Sequence, residues 1–248
     1  MNDAKNKLIV ALDVDTTHHA LELVDELRNS VGMFKVGMQL FTAAGPELVR
    51  QIVGQGNRVF LDLKYHDIPN TVAMAAVEAT RLGVTLFNIH TSGGRDMMTR
   101  AAEAVAETAA RESLTAPKVL GVTLLTSIDA PTLAEIGISD GPPAVVARLA
   151  QLAKNSKLDG VVASAQEIET IRQSVTQKDF LIVTPGIRSS DDELNDQRRT
   201  MTAAAAIRAG ADYLVVGRPI TAAKDRAAAA QRFVGEIQTA LQARASQA

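Results

Sequence analysis

The sequence predicts an α/β fold, a single (β/α)8 TIM barrel, from three observations. Short apolar runs alternate about eight times with amphipathic stretches, through mostly short connections. Most of these runs are continuously apolar, as in parallel strands covered on both faces. Charged residues collect where the runs end, which is where barrels carry their chemistry. An open doubly wound sheet is the alternative, but no Gly-x-Gly-x-x-Gly follows the first run. The 248 residues are 46% hydrophobic, enough for one large core. No linker or change of composition divides the chain.

The first strand is predicted over 7–13, where Leu8 to Leu12 are all apolar and Asp13 closes the run. Thr16 or Thr17 caps a helix over 18–29, with Leu21, Val24 and Leu27 on its inner side. The second strand, 33–37, carries Lys35. The helix over 38–53 is interrupted at Gly45-Pro46, and 54–57 turns the chain. In the third strand, 58–64, Val59, Leu61 and Leu63 share one face while Phe60, Asp62 and Lys64 share the other. Pro69 cannot continue a ladder, and Asn70 is read as the N-cap of a helix over 71–82.

The fourth strand, 85–90, ends in His90. Thr91-Ser92-Gly93-Gly94 then leads into an alanine-rich helix reaching 112. The fifth strand is 117–124, followed by a mixed segment over 126–143 with a helical turn near 133–136, and then a helix over 144–155. Strand six is 159–163 and its helix 166–174. Strand seven is 180–184. The polar loop 185–199 exceeds the usual connection of about two to six residues. It reads either as a lid over a bound phosphate or as a plain surface loop. A helix over 200–209 stops at Gly210, strand eight is 211–216, and Gly217-Arg218-Pro219 opens the last helix, running toward Ala243. The whole chain, 1–248, is read as one barrel domain, with residues 1–6 as a flexible N-terminal extension.

The net charge of −2 excludes whole-molecule attraction to nucleic acid or to an anionic membrane, so any phosphate recognition is local. Without cysteine there is no disulfide, no thiolate nucleophile and no cysteine zinc site. The four histidines show no His-Glu-x-x-His spacing. The polar start of the chain carries no signal-peptide core, and no apolar run approaches the ~20 residues of a membrane span. A cytoplasmic protein is expected.

The strand-end charges are the first candidate site. Lys35 and Asp62 fall on adjacent strands about 4.8 Å apart. Asp62, Lys64 and Asp67 follow at the end of strand three. This predicts an alternating row of Lys35, Asp62, Lys64 and Asp67, with Asp13 nearby. The plain reading is a structural ion-pair network. Against it, replacing buried ion pairs by apolar residues is often neutral or better for stability, so several charges in an apolar mouth point to function. The second candidate is Thr184-Pro185-Gly186-Ile187-Arg188 with Val216-Gly217-Arg218-Pro219-Ile220-Thr221. Barrels bind phosphate at these two strand ends, through backbone N–H groups and a helix start. His66 and His90 lie near the first site without an assigned role, and His18 and His19 read as solvated helix-start residues.

In these motifs, and in Phe34-Lys35-Val36-Gly37 and Leu125-Thr126-Ser127, the chain resembles the orotidine 5′-phosphate decarboxylase family in its short bacterial form. The match runs in order along nearly the whole chain. The Asp-x-Lys-x-x-Asp piece is shared with a wider superfamily, while Lys35 and the last two strand-end motifs are more specific. The resemblance implies cofactor-free and metal-free conversion of orotidine 5′-phosphate to uridine 5′-phosphate by a homodimer with active sites at its interface. It implies no nucleic-acid or membrane partner. It assigns Lys64 as proton donor, Asp62 beside the leaving carboxylate, Lys35 and Asp13 to the ribose, and Asp67 to the row from the neighbouring subunit. It also assigns substrate contacts to Ile68 and Thr71, to Thr126 and Ser127 over the pyrimidine, and to Arg188, Gln197, Gly217 and Arg218 at the phosphate. The competing readings are a magnesium-dependent sugar-phosphate relative, a non-catalytic nucleotide-binding barrel and a phosphate-binding barrel isomerase. The first uses an acidic residue where this chain has Lys35.

Overall fold

The computed structural model describes residues 2–188 and 201–245. Its strands are β1 (Leu8–Ala11), β2 (Met33–Gly37), β3 (Val59–Tyr65), β4 (Leu86–His90), β5 (Lys118–Val122), β6 (Gly160–Val162), β7 (Leu181–Thr184), β8 (Ile187–Arg188), β9 (Met201–Thr202) and β10 (Tyr213–Val216). Eight of them close a parallel barrel in the order β1-β10-β7-β6-β5-β4-β3-β2. The short strands β8 and β9 pair separately. The predicted barrel is thus the observed one. Each of the eight predicted strands overlaps an observed strand.

The period-two alternation sorts each strand into two cores. Ile9, Met33, Phe60, Leu86, Leu120, Val183 and Val215 fill the barrel interior. Val10, Phe34, Leu61, Phe87, Val161, Ile182 and Leu214 face outward and pack with the helices. The two cores together bury both faces of β1, β2 and most of β4, which is why such strands read as continuous apolar runs. The interior is apolar up to the level of Ala11 and Phe60. Lys35 stands in register with both, and Asp13, Asp62 and Lys64 follow farther along their strands, so a packed plug floors the site.

Several local expectations hold for the reasons given. Thr16 caps the helix Thr17–Leu27, its hydroxyl accepting from the His19 N–H at 3.2 Å. Gly45 breaks the helix Met38–Gly54 with φ 68°, a region an L side chain rarely adopts. Gly210 ends the helix Ala203–Ala209 with φ 117°.

Two differ. The helix after β3 begins at Pro69, with Ile68 as its cap, so Asn70 lies inside the first turn instead of capping it. Proline is favoured there, because its missing N–H is one that a first turn leaves unpaired anyway. Residues Asn2–Asn6 form a helical turn, where the sequence reads as a flexible extension. Ala4 is fully buried, and Gly32 lets the turn come close: a Cβ there would lie 2.5 Å from the Asn6 Cα. Among the described residues no helix is long and apolar enough to cross a membrane.

Candidate active site

The first three strands end in four interlocked charges. The Lys35 ammonium donates to Asp13 Oδ1 at 2.9 Å and lies 3.5 Å from Asp62 Oδ2. The Lys64 ammonium donates to the other Asp62 oxygen, Oδ1, at 2.6 Å. The Asp62 side chain is only 14% exposed and Lys35 11%. Burial alone raises the pKa of Asp62. The charges of Lys35 and Lys64, with hydrogen bonds from Lys64 and Asn88, outweigh it and hold the carboxyl below its ordinary value. Asp62 is therefore an ionised carboxylate in a mostly dry setting.

The row within one chain is Asp13, Lys35, Asp62 and Lys64; Asp67 does not extend it in its own chain, and its expected place is in the row of a neighbouring subunit. Asp67 is exposed, and its carboxylate accepts from the adjacent Ile68 N–H at 2.6 Å. Among the described residues it makes no ion pair with Lys64. The chain has left the strand by then, so the alternation no longer carries the side chain inward. Ile68, 67% exposed, and Thr71 lie on the same outer loop and helix start, and neither lines the cleft of its own chain.

The cleft has two compartments that share Lys35, Asp62, Pro185 and Val215. One is walled by Phe60, Val122, Leu124, Val162 and Val215, with Lys64 on one side and Thr126 and Ser127 at the rim. A flat, mostly apolar ring with a few polar edges fits that lining. The other is lined by Asp13, Gln39, Gly186, Arg188, Gly217 and Arg218. Arg188 is 8% exposed, and its Nε has no hydrogen-bond partner among the described residues. A buried guanidinium N–H without a partner marks a place for an acceptor to arrive. Gly217 lines this compartment beside Asp13 and Arg218. Gln197, and the loop 185–199 from residue 189 on, lie outside the described residues.

Three neighbours, His66, His90 and Asn88, have no role assigned from sequence. The imidazoles of His66 and His90 sit 5.4 Å apart. His90 is shifted down by burial first, then by the His66 and Lys64 charges, with Asp62 opposing. Asn88 is fully buried on β4 and bonds to both Asp62 and the Lys64 backbone. Its place two residues before His90, on the inner face, was the available signal.

Comparison with known proteins gives a consistent result. Residues 6–233 match the model of the orotidine 5′-phosphate decarboxylase / HUMPS family. An orotidine 5′-phosphate decarboxylase of Syntrophotalea carbinolica is 55% identical over 240 residues, covering 97% of this chain and 98% of the relative. One of Geobacter metallireducens is 52% identical, covering 95% and 98%. The crystal structure of orotidine 5′-phosphate decarboxylase from Lactobacillus acidophilus superposes with a TM-score of 0.82 at 36% identity, covering 93% of this chain and 98% of that one.

Proposed function

The chain belongs to the orotidine 5′-phosphate decarboxylase / HUMPS family, and from that premise we propose that it converts orotidine 5′-phosphate to uridine 5′-phosphate and carbon dioxide. This is the last step of de novo pyrimidine synthesis. The observation that carries the reading is Lys35, seated between Asp13 and Asp62 and followed by Lys64. An ammonium 3.5 Å from Asp62 repels a divalent cation, which disfavours the magnesium-dependent relatives, whose chemistry needs oxygen ligands there.

The pyrimidine ring occupies the apolar compartment, with its carboxylate against Asp62. Asp62 is ionised, so the two carboxylates repel and the bound ground state is disfavoured. When the bond between carbon 6 and the carboxylate breaks, carbon dioxide leaves and the electron pair stays on carbon 6, in the ring plane. The Lys64 ammonium stabilises that charge and then gives carbon 6 its proton. No metal or organic cofactor enters these steps. Lys35 and Asp13 hold the ribose hydroxyls, and Thr126 and Ser127 close over the pyrimidine. Arg188, Gly217, Arg218 and Gln197 take the phosphate. Binding that remote group supplies energy for orientation at the reacting carbon.

In this reading the active protein is a homodimer. Among the described residues Asp67, Ile68 and Thr71 line neither compartment of their own chain's cleft, and a second copy would present them to one. Exposed Met38, Ile68 and Met74 supply apolar surface for such pairing. The test follows ultraviolet absorbance as the protein meets orotidine 5′-phosphate in EDTA, with Lys64→Ala alongside. Metal-independent turnover that is lost in the variant supports the proposal. Nucleotide binding without turnover leaves a binding barrel, and activity only with magnesium and a sugar phosphate points to the metal-dependent relatives.

A further inference from the structure

We propose that Asn88 is a positioning residue for the decarboxylation, holding Lys64 in an otherwise disfavoured backbone conformation while fixing the Asp62 carboxylate against the Lys64 ammonium. The proposal rests on the decarboxylase reading of the site.

The argument starts from the β3–β4 ladder. Leu61 pairs with Phe87 and Tyr65 pairs with Ile89, with the register shifting between. Three residues of β3, from Asp62 to Lys64, therefore face one residue of β4, Asn88. A parallel ladder pairs residues one for one, so the excess bulges out and loses ladder partners. Lys64 stands in that bulge with φ 51°, the left-handed region that long side chains avoid. Such strain persists only where the surroundings over-determine it.

Asn88 supplies what the ladder cannot. Its Oδ1 accepts the Lys64 N–H at 2.8 Å. Its Nδ2 donates to Asp62 Oδ1 at 2.7 Å, the oxygen that also receives the Lys64 ammonium at 2.6 Å. One fully buried carboxamide thus ties the backbone of the proton donor to the side chain of its partner. Both bonds have a fixed sense: the backbone N–H needs an acceptor and the carboxylate needs a donor. An amide offers one of each. Aspartate has the same shape but sets a second carboxylate against Asp62, and leucine matches the shape with neither function. Without the clamp, the bulge relaxes and the ammonium moves from the carbon it must protonate.

The test compares the full-length wild type with Asn88→Leu and Asn88→Asp. The phosphate and ribose contacts are untouched, so KM for orotidine 5′-phosphate is expected to stay within about threefold. Displacing a reacting group by about 1 Å costs roughly 100-fold, so kcat is expected to fall by that order in both variants. In Asn88→Leu the acid limb of the rate profile moves to higher pH, because the ionised Asp62 has lost a hydrogen bond. A loss confined to folding would not split kcat from KM in the folded fraction. A second measurement does not need activity: in crystals of Asn88→Leu with uridine 5′-phosphate, Lys64 is expected to leave positive φ, or its Nζ to lie beyond about 3.5 Å from Asp62. If that variant does not fold, Asn88→Gln, one methylene longer, takes its place with the same expectations. A folded variant with kcat within about threefold of wild type, or with Lys64 unmoved, overturns the proposal. If the wild type itself fails to turn over, the decarboxylase reading falls, and the crystal comparison still decides whether the clamp exists.

Discussion

Lys35→Met puts the centre of the charged row to the test. The ammonium lies 2.9 Å from Asp13 and 3.5 Å from Asp62. Methionine keeps most of its length and none of its charge. Removing one partner of a buried ion pair costs about 3–5 kcal/mol where nothing else compensates. Here Asp62 retains Lys64 at 2.6 Å and Asn88 at 2.7 Å. About 2 kcal/mol of stability is therefore expected to be lost at neutral pH. The loss depends on pH with a definite sign. Asp62 is a carboxyl whose folded pKa is depressed, so it adds stability above its unfolded pKa, and that stability is lost as pH falls through the folded value. Deleting Lys35 removes one lowering cause and leaves the burial, so the folded pKa rises and the contribution shrinks. The two proteins are expected to differ most at neutral pH and to converge as pH falls through the carboxylate range. Urea unfolding near pH 7 and near about pH 4 measures this. Equal stability at neutral pH, or a gap independent of pH, would refute the reasoning.

Away from the site, Arg172 donates to the Phe180 carbonyl at 2.7 Å, to the Gly210 carbonyl at 2.8 Å and to Asp212 at 2.6 Å. Arg172→Met is expected to cost about 2–3 kcal/mol in urea unfolding, and Arg172→Lys to recover little of it, because an ammonium lacks the planar fork. Among the described residues the buried Thr184 hydroxyl has no hydrogen-bond partner, so Thr184→Val is expected to leave stability unchanged or raise it by up to about 1 kcal/mol. Shared sites have a kinetic signature: mixing Asp67→Ala with Lys64→Ala subunits should restore activity, because each heterodimer then holds one intact site. No recovery after subunit exchange counts against the interface role of Asp67.

The histidine pair and Asn88 show where reading from sequence stopped. His90 could be placed at the barrel mouth, yet nothing local distinguishes an Asn88 that fills space from one that clamps two other strand-end groups. Arg188 could be read as a phosphate ligand from its motif. That it is buried with an N–H unpaired follows only from the packing around β7 and β8.

By itself the sequence determined the eight-fold strand and helix rhythm, the two faces of β3, the stops at Gly45 and Gly210, and the charges that crown the first three strands. These depend on period and on local backbone preference, which act within a few residues. Only the tertiary structure decided that Asp13 joins the row within one chain, that β3 bulges at Lys64, and that Asn88 bridges the bulge. Those features come from closing eight strands into one ring. Closure fixes a stagger between neighbours, and stagger, not spacing along the chain, sets which side chains meet across strands.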